Sequence, residues 1–276
     1  MNILNILDEI EKVDGDVYER LSPRRKAMQS FFNMGSKVAL AAVPLALGSM
    51  FKKAYGQTPS KVLDALNFAL TLEHLEYNFY KQAMEKAMII GIPAGPATGA
   101  ITTIRDHELA HVKFLDTAIK GAGGIPVKEA NYDFTAKGTF PTVFTNYATF
   151  LAVAQALEDT GVRAYKGQAG ELMGTGGVLT AALNIHSVEA RHASHIRQMR
   201  RNSGQMPSIK PWITNGNDSG VPAADGNYAG EALDTQAGIK ITGINGMAVS
   251  MTAATEAFDE PLTKVQVTAL VTPFFV

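Results

Sequence analysis

The chain contains no cysteine among its 276 residues. That absence excludes disulfides, cysteine-ligated iron-sulfur clusters and any iron centre held by four thiolates. Electrons used by such a protein must come from outside it. An excess of one charge is missing too: 25 basic residues against 26 acidic ones leave a net charge of −1. No run of like charge forms a tail for polyanions, so nucleic acid is not an expected partner. The apolar run from Val38 to Phe51 is 14 residues long, too short to span a bilayer comfortably.

One pattern is present twice. Leu72-Glu73 is followed by Tyr80 and then by Glu108-x-x-His111; Leu157-Glu158 is followed by Tyr165 and then by Glu189-x-x-His192. Residues three apart share one face of an α-helix, so Glu108 with His111, and Glu189 with His192, each form a two-toothed clamp. Four Glu and two His are the ligand set of a carboxylate-bridged metal pair inside a four-helix bundle. Oxygen and imidazole donors without thiolate suit iron or manganese. Burying these groups with no cation would carry a heavy desolvation cost, and a second copy makes chance a poor account of the motif. Each tyrosine follows its Glu by two turns of the same helix face, placed to hydrogen-bond a ligand or to lend an electron. Tyr80 and Tyr165 are therefore the candidate catalytic residues.

The two copies are unequal. Aligning Glu73 with Glu158 sets Glu76 opposite Gly161. Glu76 is a seventh candidate metal ligand, additional to Glu73 or in its place, although the tyrosine register favours Glu73. A mid-helix glycine costs up to about 1 kcal/mol relative to Ala, so Gly161 needs a reason, either close helix packing or room for a substrate. His186 and His195 lie one turn from the second pair and are candidates for outer ligand contacts or proton guidance, with a partly solvated helix face as the plainer account. His74 and His107 are expected to face away. Asp106 and Asp159 are expected on another side of their helices, from which either could orient a histidine of a neighbouring helix.

These residues resemble the ferritin-like superfamily. The stretch L-N-F-A-L-T-L-E-H-L-E-Y-N-F-Y, Leu66 to Tyr80, is similar to the first helix of bacterial ferritin-like domain proteins often found with an export signal. The resemblance covers about residues 58–201. It implies an all-α fold, an antiparallel four-helix bundle with a long crossover between helices two and three. It also implies Glu73, Glu108, His111, Glu158, Glu189 and His192 as metal ligands, with Glu108 and Glu189 as bridges, and two Fe or two Mn ions as the cofactor. One reaction is not implied, because relatives include iron-storing ferritins, rubrerythrin-like peroxidases and manganese catalases. The expected partners are dioxygen or hydrogen peroxide and an electron donor that remains unidentified. The expected function is a ferroxidase, peroxidase or catalase-like reaction in oxidative-stress protection. The alternative is a metal-binding or stress-protective envelope protein without turnover; a third reading is a scaffold for a partner.

Helix punctuation predicts a first helix from the Thr58-Pro59 cap and Val62 through Ala87, stopped by Gly91-Ile92-Pro93. A second runs from Pro96 to Lys120, a third from Pro141 to near Gly170, and a fourth from the Gly174-Thr175-Gly176-Gly177 turn to about Arg201. Residues 125–140 have no steady period and form the crossover. Three regions result: an N-terminal export segment 1–56, the bundle 57–201, and an irregular C-terminal extension 202–276. Short helices at Thr252–Phe258 and Thr263–Leu270, the latter capped by Thr263, would dock the extension on the bundle or on a partner subunit. A tail over the outside of the bundle would hinder a hollow storage shell, while a small homo-oligomer stays open.

Ser22-Pro23-Arg24-Arg25-Lys26, the apolar run and Lys52-Lys53-Ala54-Tyr55-Gly56 read together as a twin-arginine-type export signal with cleavage after Gly56. Pro23 stands where Ser or Thr usually leads, and Ala27 replaces the usual Phe; an ordinary amphipathic or buried helix is the competing reading. The twin-arginine export machinery is then a partner, and the periplasm or cell envelope the destination. Because that route carries folded proteins, metal loading in the cytoplasm before export is a hypothesis that accounts for the pairing. Fractionation of the host tests it: mature protein beginning near Gln57 is expected outside the cytoplasm, and full-length, unprocessed protein in the cytoplasmic fraction would overturn it.

Overall fold

A computed structural model describes residues 60–236 and 238–276, so the export-type segment and the Thr58-Pro59 cap lie outside the described residues. The bundle comprises α1 (Ser60–Glu85), the one-turn α2 (Ala87–Ile90), α3 (Pro96–Gly121), α4 (Tyr147–Gln168) and α5 (Gly177–Asn202). Local chemistry sets these bounds. Gly91 takes the left-handed φ of 80° that closes α2, and Pro96 sits in the first turn of α3, where a missing N–H costs no helical bond. α4 opens at Asn146, whose side chain accepts the Thr149 N–H at 3.0 Å. Its start therefore lies at Tyr147, later than the Pro141 expected from sequence. Thr142-Val143-Phe144-Thr145 has weak helix propensity and forms turns instead, with the Val143 N–H donating to the Phe140 carbonyl.

α1 packs along α3, and α4 along α5. Named contacts give the directions. Asn67, early in α1, accepts the Val127 N–H just beyond α3 at 2.7 Å, and Arg200, late in α5, donates to Gln155, early in α4, at 2.6 Å. Between the pairs, Tyr80 meets Glu158 while Tyr165 meets Glu73, so α1 and α4 also run antiparallel. α3 thus ends beside the start of α1. Phe144, just before α4, lies at the other end, where the Lys86 ammonium sits 4.7 Å from its ring centroid. Residues 122–146 consequently cross the length of the bundle. Aromatic packing holds them there: Phe79 meets Phe134 and Phe144 of the crossover at 5.3 and 5.7 Å, and Phe150 of α4 at 5.2 Å.

Residues 203–276 dock on the parent bundle. They contain a two-stranded ribbon of β1 (Thr235–Gln236) and β2 (Ile239–Lys240), then α6 (Met251–Glu256) and α7 (Lys264–Val271). Thr263 caps α7 in a reciprocal box with Gln266. α7 packs on α4, and the Asp133 N–H of the crossover donates to the Phe274 carbonyl at 2.8 Å. Two buried arginines of the bundle grip the extension. Arg163 of α4 donates to the carbonyls of Asn227, Ala229 and Glu260 and pairs with buried Glu231 at 3.0 Å. Arg197 of α5 donates to both oxygens of Asp159 at 3.1 and 2.6 Å, and to Asp218 at 2.9 Å. Gly167 marks the closest approach, since a Cβ there would overlap the Leu262 carbonyl. α4 is therefore enclosed on its outer side as well, and residues 153–161 are all buried.

Among the described residues no helix is long and apolar enough to cross a membrane. Replacing Arg163 by Met would leave Glu231 buried without its cation. The expected loss is about 3–5 kcal/mol, the range for breaking a buried ion pair from one side, read as a lower melting temperature with proteolysis concentrated in 203–276. The double change Arg163→Met with Glu231→Gln is expected to recover part of that loss.

Candidate metal centre

Midway along the bundle each long helix contributes acidic groups: Glu73 from α1, Glu108 with His111 from α3, Glu158 from α4, and Glu189 with His192 from α5. Helical spacing places them at one level, and flanking Leu72, Leu75, Ile104, Leu115, Leu157 and Ile185 keep water out. Glu73, Glu108, Glu158 and Glu189 are fully buried. Their atoms form two overlapping groups that could each hold a cation, Glu73, Glu108, His111 and Glu189 in one and Glu108, Glu158, Glu189 and His192 in the other, all ligand atoms of a group lying within 4.8 Å of one another.

Glu108 belongs to both groups because its two oxygens diverge. Oε2 lies 3.2 Å from His111 Nδ1, and Oε1 lies 2.8 Å from His192 Nδ1. Glu189 Oε1 lies between the two imidazoles, at 3.3 Å from His111 Nδ1 and 3.8 Å from His192 Nδ1. The outer carboxylates complete the set, with Glu73 Oε2 at 3.1 Å from His111 Nδ1 and Glu158 Oε2 at 3.4 Å from His192 Nδ1.

These donors fit a pair of hard or borderline cations. Glu108 Oε1, Glu158 Oε2, both oxygens of Glu189 and His192 Nδ1 are buried and make no hydrogen bond. Several lie close together yet are not aligned for donation, as expected of atoms that converge on a common point. Oxygen and imidazole donors with no sulfur match Fe or Mn coordination.

Burial and neighbouring charge set the protonation of these groups in opposite directions. Burial, then the Glu108 and Glu73 charges, push Glu189 well above the usual carboxylate range, and burial raises Glu108 to about 7 despite its histidine contacts. Burial opposes charge on the imidazoles as well, but the carboxylates win. Glu158 and Glu108 hold His192 up at about 11, and Glu73, Glu108 and Glu189 hold His111 far above its ordinary value. For Glu73, His111 outweighs burial and keeps the carboxyl low. Protons retained on these groups offset the buried charge.

Both tyrosines reach the site, but each serves the opposite half. Tyr80 donates to Glu158 Oε1 at 2.5 Å, and Tyr165 donates to Glu73 Oε1. Burial and the adjoining carboxylate raise both phenols well above their usual value, so both are held protonated as donors. Each orients one outer carboxylate and leaves its second oxygen turned to the imidazole.

Glu76 lies beside the six groups and outside both ligand sets. It is buried, with Oε2 unpaired, and burial, followed by the charges of Glu189 and Glu158, raises it well above the carboxylate range. Gly161 accommodates it: a Cβ there would stand 3.0 Å from Glu76 Oε1 and 3.0 Å from Glu189 Oε2. The glycine thus gives room neither to a neighbouring helix nor to a substrate, but to a fifth carboxyl group.

One sequence expectation is corrected around the site. His107 does not face away: its Nδ1 shares a 3.0 Å hydrogen bond with His192 Nε2, and the rings stack at 5.3 Å. α3 and α5 touch little, and the gap between them is a groove of about 740 Å³ that His107, His192, His195, Arg191 and Tyr147 help to line. Asp159 orients no histidine, because Arg197 and Tyr228 take its oxygens, while Asp106 pairs with Arg105 on the surface. His186 is turned from the centre and bonds the Val162 carbonyl at 3.0 Å. His195 stays exposed in the groove, and His74 Nδ1 is buried without a partner.

Gly161→Ala is expected to leave the helices folded, with stability changed by less than about 1 kcal/mol, since helix propensity gains what crowding loses. The displaced Glu76 and Glu189 carboxyls should weaken cation binding, measurable as a lower affinity in Mn²⁺ titrations against unchanged far-UV circular dichroism.

The family model described as a ferritin-like domain matches residues 61–202. No curated protein matches the sequence significantly.

Proposed function

Because the chain belongs to the ferritin-like family, we propose that its buried carboxylate and histidine cluster holds two Fe or two Mn ions and reacts with dioxygen or peroxide, as a ferroxidase, peroxidase or catalase-like protein. The observation that carries this reading is the division of Glu108, one oxygen toward His111 and the other toward His192, with Glu189 Oε1 between the same two imidazoles. Glu108 and Glu189 would be shared by two cations that His111 and His192 help to hold, a donor set suited to two-centre chemistry. When bound, such a metal pair supplies redox equivalents split between two ions.

The protein residues have separate tasks. Glu73 and Glu158 close the outer sides, held in orientation by Tyr165 and Tyr80. His111 and His192 supply one nitrogen each and must lose their protons to do so. His107 bridges His192 Nε2 to the groove, which gives protons a path between solvent and the ligand shell. Glu76 keeps a proton beside Glu189 that neighbouring groups can exchange. The chain has no cysteine for a thiolate-held second redox centre, so electrons would come from ferrous iron in a ferroxidase, from an external donor in a peroxidase and from a second peroxide in a catalase-like reaction. Export of the folded, loaded bundle to the envelope belongs to the same proposal and is supported by Arg24-Arg25 and the apolar run that follows.

Elemental analysis with oxygen and peroxide consumption tests the reading. Two Fe or Mn per chain with rapid consumption is expected; two ions without turnover would identify a metal-binding protein, and a stable bundle with no metal would remove the proposal. His192→Ala is expected to lower the metal content and abolish consumption.

The pH dependence has a definite sign. His192, held at about 11, and Glu108, at about 7, bind protons more tightly in the metal-free fold than in the unfolded chain. Their contribution to stability is complete below their ordinary values and is lost as pH rises through the folded ones. The metal-free protein should therefore lose stability from about pH 5, first through Glu108 and then through His192 up to about pH 11, while metal affinity rises over the same window, with proton release on binding. Thermal melts with and without Mn²⁺ check this directly.

A further inference from the structure

A second cavity lies on the opposite side of the centre from the His107 groove, among the early residues of α1 and α5 and the late residues of α3 and α4. Ala69, Leu72, Phe114, Tyr165, Ala182 and Ile185 line it, its volume is about 30 Å³, and the surface it presents is wholly apolar. Tyr165 is the shared wall. Its ring faces the cavity, while its hydroxyl is turned away to Glu73 Oε1. Tyr165 therefore links the cavity wall to the outer carboxylate of the His111 group.

A space of this size holds about two water molecules or one diatomic molecule, and a buried water needs two to four polar partners. Gln168 is the one amide in the lining, and no polar surface is presented to the space. A water there would lack partners, so the species the cavity favours is small and apolar. Hydrogen peroxide, with two hydroxyl groups, would enter without hydrogen bonds and pay their desolvation. The groove on the other side differs in carrying polar groups among its apolar surface, with His107, Arg191, His195 and Gln198 in its lining, and it admits polar molecules and protons.

We propose that the apolar cavity is a binding site for molecular dioxygen, from which the oxidant reaches the metal centre past Tyr165. Its use in turnover rests on the oxidoreductase reading above; the binding itself does not. Ala69 and Ala182 keep the space open by their small size, and a larger side chain at either would fill it.

The test uses the full-length protein loaded with zinc, which is diamagnetic, and dissolved dioxygen itself as a paramagnetic probe. Under oxygen pressure, the methyl protons of Ala69, Leu72, Ala182 and Ile185 are expected to relax faster than those of Leu151 and Ile196, which are buried in the other half of the core. Ala182→Leu should remove the excess. Equal enhancement at all buried methyls in the unaltered protein would overturn the proposal, whether or not the variant folds. In iron- or manganese-loaded protein, Ala182→Leu should raise the dioxygen concentration needed for half-maximal consumption and leave peroxide turnover unchanged; an equal effect on both would overturn the route. If the loaded unaltered protein consumes neither oxidant while the methyl excess persists, the dioxygen site stands and the oxidoreductase reading falls.

Discussion

Desolvated charge at the middle of the bundle is the constraint to which most of this structure responds. Five carboxyl groups and two imidazoles share one layer, and ions taken out of water cost several kcal/mol each unless they are paired. The layer divides the apolar core in two, an aromatic half around Phe79, Phe134 and Phe150 and an aliphatic half around Leu70, Ile119 and Ile185. Protons on His111, His192 and the raised carboxyls can balance the layer, and so can bound metal cations. The helices hold the donors in position for either balance, and the exchange of one for the other is the chemistry the fold permits.

The clustering of the six candidate residues was legible because it obeys helical geometry within single segments. Glu108 with His111 and Glu189 with His192 are neighbours by the three-residue rule, whatever the tertiary packing. What the sequence could not show is which group serves which across helices. Tyr80 lies seven residues past Glu73, about 10.5 Å along the axis at 1.5 Å per residue, too far to bond it. The antiparallel α4 brings Glu158 level with it instead. His107 was expected to face away for a related reason: its direction is fixed by the gap between α3 and α5, and spacing along one chain carries no record of helix separation. The start of α4 was misplaced because Pro141 is a common helix opener, whereas Asn146 makes the cap that the structure uses.

Glu76 and Gly161 show how an internally duplicated pattern departs from symmetry. The side chain present in one half occupies the space left by its absence in the other, so both differences are one event in physical terms. The result is a fifth carboxyl beside Glu189 that no imidazole contacts. The C-terminal extension adds a second asymmetry by enclosing α4 through Arg163, Arg197 and the Leu262 carbonyl over Gly167. Its grip depends on buried ion pairs, so the segment belongs to the stability of the bundle.

The exchange of tyrosines between the halves has a consequence for how such a chain can be divided. A hairpin made only of α1 and α3 would hold Glu73, Glu108 and His111 but lack the phenol that orients Glu73, while its own Tyr80 would point at nothing. The hairpin of α4 and α5 has the same deficit in mirror form. Neither is a module that works alone. Two such hairpins become complete only when each lends its tyrosine to the other, which is the relation between the partners of a two-fold dimer, here written into one polypeptide.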